Sequence, residues 1–110
     1  MVSFNVIISP KALLQISEYV DYIQYTLLNT QAAKSVWADA LDTTTRLESI
    51  AGSMEPCKHP KLKEHGYYAI LFSAHRYVML YRIEDKTVYV DAVYHELQDY
   101  QNTFAKDLNE

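Results

Sequence analysis

The sequence predicts an α+β fold: an N-terminal strand, an antiparallel helical hairpin, a three-stranded antiparallel meander and a short C-terminal helix. Three observations carry this expectation. Apolar residues recur at helical spacing across the first half of the chain and alternate at strand spacing after residue 66. The gaps between the last three apolar runs are two and three residues long, which permits only hairpins. The order strand, two helices, three strands then predicts a helical hairpin packed on one face of a small sheet.

The first element is "FNVIIS", residues 4–9, stopped by Pro10. Ser9 followed by Pro10 is a helix-start pair, a capping hydroxyl before a residue that needs no amide bond in the first turn. Leu13, Ile16, Val20, Ile23 and Leu27 then recur at spacings of three and four, one face of an amphipathic helix flanked by Tyr19, Tyr22 and Tyr25. "LNT" interrupts, with Thr30 as a second cap. Ala33, Val36 or Trp37, Ala40, Thr44, Leu47 and Ile50 or Ala51 define a second helix ending near Gly52. Pro56 and Pro60 mark residues 53–66 as a connecting loop. The strands follow at 67–73, 76–83 and 87–95, and a final helix is expected from about Glu96 to Phe104.

At 110 residues the chain is read as one domain, residues 1–110. With 49% hydrophobic and 22% charged residues it has globular composition, and two glycines and three prolines leave little for long loops. No apolar run reaches the roughly 20 residues that cross a bilayer, so no membrane partner is expected. The N-terminus lacks a signal-peptide pattern and the single cysteine, Cys57, suits a reducing compartment; a cytoplasmic location with an inert, buried thiol is expected. The net charge of −4 argues against a general nucleic-acid coat, but its distribution is uneven. Residues 1–57 carry −3, residues 58–86 carry +3 and residues 87–110 carry −4, and His59, His65 and His75 lie in the basic block. Such a block suits a phosphate or an acidic partner; solvated loop lysines explain it equally well.

Strand alternation sorts the last two strands into faces. Tyr77, Met79, Tyr81 and Ile83, with Val88, Val90, Ala92 and Tyr94, are expected to meet the helices. The other face, carrying Arg76, Arg82, Asp91, Val93 and His95, is expected to be polar and uncovered. A histidine there has the right pKa range for acid–base work, and arginines neutralise a phosphate. A base, an acid and cations are what RNA cleavage by the 2′-hydroxyl requires. The competing explanation is a surface network of Arg76 and Arg82 with Asp91, and His95 ending a strand. No metal spacing, phosphate-cradling glycine loop or nucleophile elbow occurs, so no cofactor is expected.

"VIISPKALLQISEYVDYI", "AAKSVW" and "LYRIEDKTVYVDAVYH", in that order, resemble the RelE/ParE superfamily, toxins of bacterial type II toxin–antitoxin modules, over about residues 4–100. The resemblance implies a cognate antitoxin as partner and one of two activities, of which ribosome-dependent mRNA cleavage is the leading expectation and gyrase poisoning the alternative. RelE-like members are ribosome-dependent endoribonucleases acting on mRNA; ParE-like members poison DNA gyrase without known catalysis of their own. On the first reading His95 is the acid or base, Arg76 and Arg82 stabilise phosphate, and Lys61, Lys63 and His65 position RNA. The sequence departs from the family pattern in several places. Tyr68 stands where many members have arginine, Val78 stands at another such position, and "HEL" replaces the frequent H-x-R after the last strand. Arg76 would have to replace the residue at Val78 from about 7 Å further along the strand. These departures bear more on nuclease activity than on membership. An inactive relative that only binds an antitoxin is the third alternative.

Overall fold

The first strand, β1 (Asn5–Ile8), runs parallel to the last one, with Val6 opposite Val88 and Ile8 opposite Val90. The computed structural model describes residues 3–108. Ser9 closes the strand and caps α1 (Pro10–Asp21): its hydroxyl accepts from the Ala12 amide at 3.0 Å, with Pro10 in the first turn. The buried stripe of α1 is Ala12, Ile16 and Val20; Leu13 and Leu27, expected on that stripe, are 48% and 56% exposed. For Leu27 the cause is a change of helical period; Leu13 lies ahead of that change, and Ala12 takes its place on the stripe. Beyond Asp21 the chain widens into a π turn, Tyr22–Thr26, with the Leu27 amide bonded to the Tyr22 carbonyl. Leu28 then takes a left-handed φ of 53°.

Asn29, not Thr30, caps the second helix, α2 (Thr30–Ile50): its side-chain oxygen accepts from the Ala32 amide at 3.0 Å. Asparagine is the better cap of the two, and Thr30 is already helical. The buried face of α2 is Ala33, Val36, Asp39, Ala40, Thr43 and Leu47, so Val36 rather than Trp37 points inward, and Thr43 takes the place expected for Thr44. A 3₁₀ turn at Ala51–Ser53 follows, and the buried Tyr81 hydroxyl donates to the Ala51 carbonyl at 2.8 Å. The segment 53–66 is not all loop: α3 (Pro60–Glu64) lies within it and buries Leu62. Proline at its start and a histidine cap make a helix from a stretch whose two prolines suggested none.

The meander is β2 (Tyr67–Leu71), β3 (Tyr77–Glu84) and β4 (Thr87–His95), and the sheet order is β1-β4-β3-β2. The C-terminal helix α4 (Tyr100–Asp107) begins four residues later than expected from Glu96. The decisive detail is a β-bulge. Tyr81 faces Val90 while Leu80 faces Ala92, so Asp91 is an extra residue in β4. An extra residue flips the alternation beyond it. Val88, Val90 and then Val93 join the hairpin-side core with Ile16, Leu47, Met79 and Tyr81. Ala92 and Tyr94 join the other side, against the expected faces, and His95 is carried with Val93 to the hairpin side.

The expected open polar face is likewise corrected. Val78, Leu80, Ala92 and Tyr94 form a second core with Cys57, Leu62, Tyr67, Phe104 and Ala105. The short helices α3 and α4 supply its cover, and Phe104 packs edge-on against Tyr67 at 4.9 Å between ring centroids. Four apolar side chains on one sheet face need such a cover, because leaving them in water costs about 25 cal/mol per Å².

Candidate functional site

A groove of about 390 Å³ lies where the hairpin tip meets the end of the sheet, lined by Ile23, Leu27 and Val36 on one side and His75, Arg76, Tyr77 and His95 on the other. The β2–β3 connection, residues 72–76, presents His75 and Arg76 to it, and α2 holds that connection in place. Asp39 accepts three bonds at once: from the Ser73 amide at 3.1 Å, the Ala74 amide at 2.9 Å and His75 Nδ1 at 2.7 Å. One and two turns further along α2, Asp42 accepts from the Ser73 hydroxyl and Arg46 donates to that hydroxyl and to the Leu71 carbonyl. Burial pushes the Asp39 carboxyl up, but the bonds from His75, Ala74 and Ser73 outweigh it and hold the group below its usual range.

The two groove histidines are fixed in different tautomers. An ionised carboxylate has no proton to give, so His75 Nδ1 donates to Asp39 and Nε2 is the nitrogen left for other contacts. His95 Nδ1 instead accepts from the Leu97 amide at 3.2 Å, so in neutral His95 the proton sits on Nε2. Its ring packs edge-on against Tyr77 at 5.3 Å, and Tyr77 in turn meets Tyr19 of α1 at 4.8 Å. Burial raises the pKa of both tyrosines.

The structure brings only two of the six site residues expected from sequence into this groove. His95 and Arg76 line the same groove, and Arg76 Nε donates to Glu96 at 2.9 Å. Arg82 is on the opposite face of the sheet. There it is paired with Asp91 at 2.9 Å and with Glu84, over the Tyr89 ring. Lys61 Nζ donates to the Ala105 carbonyl at 2.8 Å, tying α3 to α4, and His65 closes α3 by donating from Nδ1 to the Lys61 carbonyl at 2.8 Å. Lys63 is exposed beside Glu55 and Lys58, lining a separate hollow. The surface-network explanation holds for Arg82 with Asp91, while Arg76 takes Glu96 as its partner. Asp39 and His75 escaped the sequence reading. Their signal is an aspartate set between Val36, Ala40 and Thr43 on the buried stripe of a helix, where a charge needs a partner.

The fold extends to known proteins. The profile described as "ParE toxin of type II toxin-antitoxin system, parDE" matches residues 6–100. The chain belongs to the ParE toxin family. A solved chain described as "Chromosomal ParDE TA system from P. aeruginosa" superposes on this ParE-family chain with a TM-score of 0.70. That match is 14% identical and covers 84% of this chain and 96% of the other. No curated protein is significantly similar in sequence. Among the described residues of this family member, no group of three or more histidines, cysteines or acids is placed to hold a metal ion. None of its described helices is long and apolar enough to cross a membrane.

Proposed function

We propose that this ParE-family toxin acts by docking on a protein target, DNA gyrase, and that a cognate antitoxin neutralises it by wrapping its surface. The observation that carries this reading is the separation of the groups that RNA cleavage would need. Arg82 is spent on Asp91 and Glu84 across the sheet from His95, and Lys61 is committed to the Ala105 carbonyl. A phosphoryl-transfer site needs its cations and its acid–base groups at one reacting phosphorus. The family match and the ParDE likeness support the same choice. The test is induction without antitoxin, followed by pulse labelling and a supercoiling assay with purified gyrase. DNA synthesis failing first, with gyrase-linked breaks, is the expected result; translation failing first would sink it.

One observation favours the second reading, ribosome-dependent mRNA cleavage. His75 and His95 line one groove in opposite tautomers with Arg76 beside them, an acceptor nitrogen and a donor nitrogen of the kind acid–base catalysis uses. The same labelling experiment separates the two readings.

A further inference from the structure

We propose that the tip of the helical hairpin, Tyr22, Tyr25 and Leu28, is the knob by which this toxin docks, seated in an apolar pocket of its protein target, DNA gyrase. The proposal rests on the gyrase reading above and assigns the surface that reading leaves open.

Leu28 supplies the first argument. The Leu27 amide bonds back to the Tyr22 carbonyl at 3.1 Å and the Asn29 amide to the Ile23 carbonyl at 3.0 Å, so Leu28 sits between the two bonds that close the turn. A helix closed in this way puts one residue in the left-handed region, a position suited to glycine or asparagine. Here a leucine holds φ at 53° with its side chain 82% exposed. Glycine or asparagine would close the same turn with less strain, and neither described core includes Leu28. A strained apolar residue left in water points to a contact outside the chain.

Its neighbours supply the second argument. The π turn Tyr22–Thr26 keeps Ile23 against the core and leaves Tyr22 and Tyr25 56% and 68% exposed. Single-turn π segments recur at functional sites, and exposed tyrosines are the usual anchors of protein interfaces. Residues 22–33 are also the longest stretch of the chain without Asp, Glu, Lys, Arg or His. The runs next in length contain β1 and β2, where sheet pairing accounts for them. No such pairing accounts for the tip.

Size and charge choose the occupant. The three side chains expose on the order of 400 Å², within the roughly 300–600 Å² of a functional surface patch and well short of the about 800 Å² that each partner buries in a stable pair. Two copies meeting tip to tip would therefore not hold each other. A protruding tip gains more by entering a concave pocket that surrounds its side chains and excludes water. The lack of any cation across residues 22–33 rules out a phosphate backbone as what the tip touches. On the gyrase reading the contact is thus an apolar pocket of the enzyme itself and not its bound DNA.

The test uses the full chain in a supercoiling assay with purified gyrase, alongside urea unfolding. Leu28→Asn is expected to raise the urea midpoint, because asparagine accepts the left-handed backbone. The same variant should nevertheless need about tenfold more toxin for half-maximal inhibition, and Tyr25→Ala should lose potency to a similar degree. Leu41→Gln is the control. Leu41 is another exposed leucine, about three turns along α2 from the tip, and its replacement should leave inhibition unchanged. A benzophenone side chain placed at Tyr25 should crosslink to a gyrase subunit on illumination, and one placed at Leu41 should not. Parent-like inhibition by both tip variants, or a urea midpoint that fails to rise in Leu28→Asn, would overturn the proposal with the gyrase reading intact. A parent chain that neither inhibits gyrase nor crosslinks to it would remove that reading and the proposal with it. Self-association lost in Leu28→Asn at unchanged inhibition would make the tip a contact between copies and overturn the proposal too.

Discussion

Arg82 and Asp91 meet across the β3–β4 bulge: Arg82 Nε donates to Asp91 Oδ2 at 2.9 Å, and the Tyr67 hydroxyl donates to the same oxygen at 2.7 Å. Asp91 is the one residue of β4 between Thr87 and His95 with no partner opposite it in β3. Side-chain bonds therefore hold the bulge where the ladder cannot, and the bulge decides which way His95 points. Asp91→Ala leaves a buried hydroxyl and a half-buried guanidinium without their acceptor. A loss of about 1–3 kcal/mol in urea unfolding is expected. A loss below a few tenths would mean water satisfies both groups and the bulge holds itself.

This bulge also explains what the sequence could and could not disclose. The meander was legible because the "AH" and "EDK" gaps leave no room for anything but hairpins, and the Ser9–Pro10 cap because its chemistry is local. Faces beyond Asp91 were not legible, since one unpaired residue inverts every later side chain while the alternating pattern reads unchanged. Tyr94 was rightly expected to be buried, yet it lies in the second core, bonded to Asp107 at 3.3 Å. That core was hidden because its cover comes from α3 and α4, two short helices whose apolar residues are too few to show a period. The groove was hidden for a related reason. Asp39 and His75 are 36 positions apart and meet only after the sheet docks on α2.

Asp39 carries a pH prediction. Its carboxyl is held below the ordinary value in the folded chain, and Asp107, held down first by the bond from Lys11, behaves in the same way. A depressed folded pKa means the stabilisation is complete above the unfolded value of about 3.9 and is lost as pH falls through the lower folded value. The urea midpoint should therefore drop as the solution is acidified below about pH 4. Asp39→Asn should be less stable at neutral pH by about 1–3 kcal/mol and should show a shallower acid limb. An unchanged acid limb in that variant would assign the titration to other carboxylates.

Cys57 reports on the second core. Burial pushes its thiol up to about 11 and leaves it 3% exposed, so alkylation at pH 8 should be slow in the folded chain and fast in urea. Phe104→Ala removes the ring that packs on Tyr67 and Tyr94 in the same cluster. A cost of about 3–5 kcal/mol is expected, together with faster Cys57 alkylation under native conditions. Fast alkylation in the parent chain would mean that α4 opens readily without any substitution.

His95 separates docking from chemistry. Its ring packs on Tyr77 and lines the groove, and its Nδ1 accepts from the Leu97 amide, which leaves Nε2–H as the donor of the neutral ring. A residue that only contacts a partner changes how much toxin is needed, whereas a proton-transfer group changes what saturating toxin can do. On the docking reading, His95→Gln should raise the toxin concentration for half-maximal gyrase inhibition by up to about tenfold, with full inhibition still reached. On the nuclease reading it should cut ribosome-dependent cleavage by about 10²–10⁴-fold even at saturation, the usual contribution of a positioned acid or base. Tyr94→Phe is the control, because Tyr94 points into the opposite core. It should lose the hydroxyl's bonds to Asp107 and Gln15, about 0.5–1.5 kcal/mol of stability for each, and leave either activity intact. A parent chain that cuts mRNA on ribosomes, with a His95→Gln variant that does not at any concentration, would make the groove an active site and end the docking reading.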